Sequence, residues 1–177
     1  MRRILARMSI TLRDATVEDA PILVALVRAN REHFATGDPE RPESFYTPYG
    51  QRRVLEDALH HRAEGTALLM LIEEDGAVIG RIGLSGITRG AFQSASVHYA
   101  VDRTHTGRGV AGAALAQMVA LARDQLRLHR LQAEIMPTNI ASRCVAERCG
   151  FLPYGLAPEY LRLQGQWQTM MLYQRIL

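Results

Sequence analysis

The sequence predicts an α/β protein of the mixed (α+β) kind: one sheet of about seven strands flanked by about four helices. Three observations predict it. Apolar residues alternate with period two in some segments and recur with helical spacing in others, in the order strand, helix, helix, three strands, helix, strand, helix, two strands. Hairpin signals join neighbouring strands, which makes most of the sheet antiparallel. A chain of 177 residues with 47% apolar content fits one domain with a real core, and it carries no repeat, low-complexity tract or interdomain linker.

The elements follow in order. Residues 1–8 read as a basic N-terminal extension in which Met8 is an alternative start, and residues 9–177 as the domain. Ser9 to Arg13 alternates as a first strand. Thr16-Val17-Glu18-Asp19 resembles a capping box and opens a helix with Leu23, Val24 and Val27 on one face. Residues 35–50 form the longest irregular stretch. A helix over about 51–64 then turns Val54, Leu55, Ala58 and Leu59 inward. Ala67 to Ile72 is an apolar strand, Glu74-Asp75-Gly76 a hairpin signal, and Ala77 to Leu84 the next strand. A turn over Ile87 to Phe92 leads to a strand from Ser94 to Val101. A loop then opens a long helix from Gly109 to about Leu126. Leu131 to Met136 is a strand. Thr138 caps a helix that runs to Cys149 and is ended by Gly150. Two strands around Gln164-Gly165-Gln166 close the chain.

Composition excludes several classes. All 21 basic residues are arginine, so no lysine serves as a Schiff-base nucleophile or P-loop ligand. A net charge of +3 is too mild for a nucleic-acid coat, and no direct DNA role is expected. Cys144 and Cys149 face different directions on one helix and make neither a disulfide framework nor a metal site. No apolar run is long enough to span a membrane and no signal peptide is evident, so a cytoplasmic protein is expected.

The first chemical feature is Thr104-His105-Thr106-Gly107-Arg108-Gly109-Val110-Ala111, between a strand and a helix. A helix start offers free amides and the positive end of the helix dipole, and glycines let backbone close on an anion. A pyrophosphate suits such a turn. Taken alone, the motif also fits a tight strand-to-helix turn with no ligand.

At these residues the sequence resembles the GNAT superfamily of acetyltransferases, whose central motif is Gln/Arg-x-x-Gly-x-Gly/Ala. Gly109 and Ala111 match, while Thr106 stands where Gln or Arg is usual. Asn139-Ile140-Ala141-Ser142, Cys149-Gly150-Phe151, Glu159-Tyr160-Leu161 and Gly165-Gln166-Trp167 are similar to the RimJ/RimL group of bacterial protein N-terminal acetyltransferases. Phe45-Tyr46, Arg89-Gly90-Ala91-Phe92 and His129-Arg130-Leu131 lean towards its RimJ side. The resemblance spans about residues 9–175. It implies acetyl-CoA as cofactor and a sheet splayed between the strands ending at Val101 and Met136, opened by a bulge in the former. It also implies coenzyme contacts from Tyr99, Ala100 and Val101, from Thr106, Gly107, Arg108, Gly109, Val110, Ala111 and Gly112, and from Asn139 and Ser142.

The resemblance further implies a backbone amide near Tyr99 to Val101 for the developing oxyanion, Ser142 as donor to the departing sulfur, and Glu159 as general base. Where many relatives read Glu-x-Gly-Tyr, this chain has Ser96-Val97-His98-Tyr99, so His98 is a candidate base in place of that glutamate, and Glu134 on the neighbouring strand a weaker one. The stretch from His33 to Tyr49, with Phe45, Tyr46 and Tyr49, is expected to line the acceptor side, and Trp167 to pack near it. The implied acceptor is the N-terminal amine of a ribosomal or other protein, with ribosome association and a monomer or homodimer both open. A small-molecule amine acetyltransferase and a non-catalytic acyl-CoA-binding module are the competing readings.

Overall fold

The computed structural model describes residues 9–177, so the expectations for residues 1–8 lie outside the described residues. Its seven strands form one sheet in the order β1-β2-β3-β4-β5-β7-β6. They are β1 (Ile10–Asp14), β2 (Leu68–Glu74), β3 (Ala77–Thr88), β4 (Ser94–Val101), β5 (Arg130–Ile135), β6 (Leu152–Leu163) and β7 (Gln166–Ile176). Every pair is antiparallel except β4 and β5. Both expected hairpins form. Asp75 and Gly76, and again Gln164 and Gly165, have positive φ, the backbone that a two-residue turn between right-twisted strands requires.

The helices are α1 (Ala20–Ala29), α2 (Arg31–Ala35), α3 (Pro48–Ala63), α4 (Val110–Asp124) and α5 (Ile140–Arg148), one more than expected. The Thr16–Asp19 capping box forms, but it opens a single 3-10 turn from which α1 continues. The addition, α2, is a five-residue helix that starts again after Asn30. Asn30 is buried. Its Nδ2 donates to the Leu26 carbonyl at 3.0 Å and its Oδ1 accepts from the Arg103 amide at 2.8 Å, which ties the end of α1 to the loop before α4.

The sheet separates two apolar clusters. On one face α4, with Ala146 and Phe151, covers Ile72, Ile82, Leu84, Val97, Leu131, Ala133 and Ile135. On the other, Leu23 and Leu26 of α1, Phe34 and Leu55 pack on Leu71. Leu23 and Leu55 are almost fully sealed, and each such leucine contributes about 2 kcal/mol.

Three local expectations are corrected. Leu59 is 37% exposed, because the apolar stripe of α3 narrows to Leu55. Asn139, not Thr138, caps α5: its Oδ1 accepts from the Ser142 amide at 3.1 Å. The bulge beside β4 lies in β3, between Ser85 and Thr88, where Gly86 has a φ of 59°. A left-handed backbone is accessible to that glycine, while β4 itself runs in unbroken register. No helix is long and apolar enough to cross a membrane among the described residues.

Candidate active site

β4 and β5 pair only at their start, through Ser94, Ala95 and Ser96 opposite Arg130, Leu131 and Gln132. Beyond Ser96 they separate, while β3 stays paired with β4 as far as Val101 and β7 with β5 as far as Ile135. A cleft of about 710 Å³ occupies the gap. It is lined by Val97, Tyr99, Asn139 and Ser142 from the α4/α5 face and by Ser96, His98, Glu134 and Tyr160 from the opposite face. The opening therefore passes through the sheet, and groups arriving from its two sides can meet there.

At the α4 end, Gly107 and Gly109 hold φ values of 72° and 84°, and a Cβ on either would meet nothing within 4 Å. Gly109 is the residue before α4 and supplies no side-chain cap. The first bond of the helical ladder runs from the Ala113 amide to the Gly109 carbonyl, so the amides of Val110, Ala111 and Gly112 precede any intrahelical acceptor. The side chains here are committed elsewhere. Arg108 Nη2 pairs with Glu74 Oε1 at 2.9 Å, and Thr106 Oγ1 donates to the Arg103 carbonyl at 2.9 Å. What this turn leaves open is therefore its backbone and not its side chains.

On the same face the Tyr99 hydroxyl lies 2.9 Å from Ser142 Oγ. Burial pushes the Tyr99 phenol up, which keeps it protonated and able to donate. Asn139 positions Ser142 by capping α5 through the Ser142 amide.

On the opposite face the His98 imidazole lies over Gly83, where a Cβ would come within 2.7 Å of His98 Cε1. The surrounding protein, then the nearby Arg81 guanidinium, push His98 down to about 4, opposed by Asp38 and reinforced by Arg41. Water reaches the ring through the cleft mouth, which moderates this penalty without reversing it. His98 is therefore neutral at neutral pH. Arg81 pairs with Asp38, which anchors the segment Gly37–Arg41 at the cleft rim.

The expected site residues divide. The structure brings His98, Tyr99, Ala100, Asn139 and Ser142 together at the cleft. It does not bring Glu159 there. That residue sits in a bulge of β6 between Ala157 and Leu161, exposed, at a φ of 49°, while Tyr160 and Leu161 line the cleft instead. The three aromatics expected on the acceptor side do not line the cleft itself. Phe45 is buried beneath Arg41 and Arg81, Tyr46 lines a neighbouring cavity under Arg31, and Tyr49 is 72% exposed on the first turn of α3. The polar half of that stretch, Gly37 to Arg41, reaches the cleft because Arg81 attracts Asp38. Trp167 is 61% exposed on the β6–β7 hairpin and does not pack at the cleft. Sequence reasoning missed Arg81, Asp38 and Ser96; a lone arginine in the apolar run of β3 was the available signal.

Comparison with known proteins agrees with this geometry. The model of the acetyltransferase (GNAT) domain matches residues 9–152. The chain is 33% identical over 168 residues to "Probable N-acetyltransferase YjcK" of Bacillus subtilis (strain 168), covering 90% of each chain. It is 28% identical over 156 residues to the [ribosomal protein uS5]-alanine N-acetyltransferase of Escherichia coli (strain K12), covering 87% of this chain and 80% of that one. The solved structure of Mycobacterium smegmatis RimJ in complex with CoA-disulfide superposes with a TM-score of 0.92 at 28% identity, over 94% of this chain and 81% of that chain. With the splayed strands, the glycine turn and the family match in agreement, the chain belongs to the GNAT acetyltransferase family.

Proposed function

We propose that this enzyme transfers the acetyl group of acetyl-CoA to the N-terminal amine of a protein chain in the cytoplasm, a ribosomal protein being the leading candidate. The observation that carries the reading is the cleft that passes through the sheet. Val97, Tyr99, Asn139 and Ser142 line one face of it, on the side of the sheet that carries α4, and the other opens between Gly37–Arg41 and the β6–β7 hairpin. Acetyl-CoA supplies an activated acyl group on a good leaving thiol.

The protein's own groups have separable tasks. The backbone of Gly107 to Gly112 takes the pyrophosphate. The edges of β4 and β5 that leave each other beyond Ser96 offer backbone partners to an extended arm, much as to an added strand. Ser142, joined to Tyr99, donates to the departing sulfur. An α-amine has an ordinary pKa near 8, so a useful neutral fraction exists at pH 7 and positioning outweighs strong basicity.

A protein acceptor is favoured over a small molecule by the shape of the second face. Asp38, Pro39, Arg41 and Arg81 line both the cleft and a second cavity of about 890 Å³ bounded by Phe34, Tyr46 and Gln164, which extends the surface beyond the reacting group. The relatives named for ribosomal protein uS5 alanine acetylation point the same way.

The test is mass spectrometry of protein N-termini from cells with and without the gene. One defined N-terminus that loses its acetyl group in the deletion supports the reading. An unchanged N-terminal profile, beside purified enzyme that acetylates small amines, would replace the protein acceptor with a small molecule.

A further inference from the structure

On its acceptor side the floor of the cleft continues along β5. Leu131, Ala133 and Ile135 are buried under α4, so the alternation of the strand turns Arg130, Gln132 and Glu134 to the opposite, acceptor-side face. Glu134 lines the cleft, and the other two carry its row away from it. At about 3.3 Å per residue, Arg130 lies about 13 Å along the strand from Glu134. Two rings come to its guanidinium. Phe92, in the turn before β4, and Tyr154, on β6, each have their ring centroid 5.4 Å from Arg130 Cζ. In the sheet order β4 and β6 lie on opposite sides of β5, so the rings reach Arg130 from both sides.

Arg130 is held by stacking and not by charge. It is half-buried, yet it pairs with no carboxylate among the described residues, whereas Arg13, Arg81 and Arg108 each do. Its Nε is buried and has no hydrogen-bond partner among them. Ser94, opposite Arg130 on the first rung of the β4–β5 pairing, is 1% exposed, and its hydroxyl has no partner either. Buried polar groups without partners are costly, and this rung holds two. A guanidinium stacked on rings keeps its in-plane N–H groups available. Phe92 and Tyr154 are themselves 50% and 45% exposed, so the position opens to solvent. The ligand that fits is a planar carboxylate, met by two parallel N–H donors and flanked by rings that exclude water.

We infer that Arg130, set between Phe92 and Tyr154, binds a carboxylate side chain about four or five residues from the N-terminus of the acceptor protein, and so takes part in selecting it. The acceptor amine meets the acyl group at the splay, which begins beyond Ser96. An extended chain that leaves the splay along β5 covers about 13 Å in four residues, which brings roughly its fourth or fifth side chain to Arg130. The second cavity, beyond Arg81, lies at the other end of β4: Arg81 pairs with Ala100, and Arg130 with Ser94. A folded acceptor is broad enough to meet both surfaces. Arg130 stands away from the reacting atoms, so its contact is equal in ground state and transition state and acts on KM, not on kcat. The inference rests on the reading of the acceptor as a protein N-terminus.

Short synthetic peptides test it on the full-length protein. Each begins with alanine and carries one glutamate at a successive position in an otherwise uncharged sequence, with the matching glutamine peptide as control. Glutamate at about position 4 or 5 raises kcat/KM about tenfold over glutamine, through KM, and high salt shrinks the difference. Arg130→Gln removes the preference, and Arg130→Glu transfers it to the peptide with lysine at that position. Equal rates for the glutamate and glutamine peptides at every position, or a preference that survives in Arg130→Gln, overturn the inference. Should neither variant fold, the wild type decides. With coenzyme A bound and the arginines labelled with 15N, the Arg130 Nε–H signal, identified by its contacts with the Phe92 and Tyr154 rings, shifts with the glutamate peptide and not with the glutamine one. A signal that responds to both or to neither overturns the inference. Turnover of all the peptides alike removes the role of Arg130 and leaves the protein-acceptor reading standing. Turnover of small amines and of no peptide removes that reading, and this inference with it.

Discussion

The pair formed by Gly83 and His98 shows how one residue's backbone sets another's chemistry. The two are direct partners across β3 and β4, and the absence of a Cβ at position 83 is what lets the imidazole lie against the strand. Lodged there, His98 is kept neutral by the protein packed around it and by Arg81 although its edge stays open to solvent, so it can accept a hydrogen bond in the cleft without adding a charge that repels an incoming ammonium. Its folded value of about 4 is below its ordinary 6.5, so the folded state resists protonation of this ring. The folded state therefore loses stability relative to the unfolded chain as pH falls from about 6.5 towards 4, by an amount that the solvent exposure of the ring reduces. Replacing Arg81 with Met removes the nearest cation and leaves Asp38, which acts in the opposite direction. The His98 titration followed by NMR then moves upward from about 4 towards its ordinary value. A titration that stays in place in Arg81→Met would show that burial alone holds the ring neutral.

Two helix starts organise the coenzyme side of the site, and they do so by different means. α4 begins on Gly109 at a φ of 84° with no side-chain cap, which leaves its first amides for a ligand. α5 begins on Asn139, whose side chain satisfies the Ser142 amide and so fixes the residue that meets Tyr99. The consequences of mutation differ accordingly. Gly109→Val forces a β-branched residue into left-handed backbone and puts a side chain where the anion would lie, so acetyl-CoA binding measured by calorimetry falls at least about tenfold while the circular dichroism spectrum is retained. Asn139→Ala instead costs about 1 kcal/mol in urea unfolding, and Asn139→Ser, which can still cap, recovers most of it. Equal losses in Ala and Ser variants would mean that the cap is not what Asn139 contributes to stability. The glycine turn was legible in the sequence because positive-φ positions before a helix select glycine. The cap at Asn139 was displaced by one residue to Thr138, since both types cap well and only the path of the chain decides between them.

At the scale of the molecule, the order of elements followed from local signals, with Asp75-Gly76 and Gln164-Gly165 marking two hairpins and the alternation of Ser94 to Val101 marking a strand, while the splay beside that strand was implied only by the family resemblance. The segment His33–Tyr49 was expected at the acceptor side, but which part of it reaches the cleft could not be read. It depends on long-range charge pairing, Arg81 with Asp38 across 43 positions, which draws the polar half of an irregular segment to the cleft and leaves Phe45 as packing. A second long-range arrangement of this kind lies far from the cleft and carries stability. Arg13 on β1 makes two hydrogen bonds to Asp19, at 2.6 and 2.8 Å, and a third to Glu73 on β2 at 2.6 Å, while the Thr16 amide donates to Asp19 at 2.8 Å. The edge strand, its neighbour and the start of α1 are joined through the Arg13 guanidinium, and the side chain of its partner Asp19 is only 7% exposed. The hydrogen bonds from Arg13 are the first cause that holds Asp19 below its ordinary 3.8, offset in part by burial. A carboxylate with a lowered folded value contributes stability that is complete above its unfolded value and is lost as pH falls through the folded one. Asp19→Asn therefore lowers the unfolding free energy by about 2 kcal/mol at pH 7, because Arg13 loses a charged partner in a nearly sealed position. The wild type then loses more than the variant as pH drops below about 4, and the two stabilities converge. Urea unfolding at pH 7 and at successive steps below pH 4 measures both slopes. Parallel curves would place the acid sensitivity elsewhere. Because none of the three residues lines the cleft, acetyl-CoA affinity at pH 7 is expected to be unchanged in Asp19→Asn, which separates the contacts that hold the sheet edge from those that bind the coenzyme.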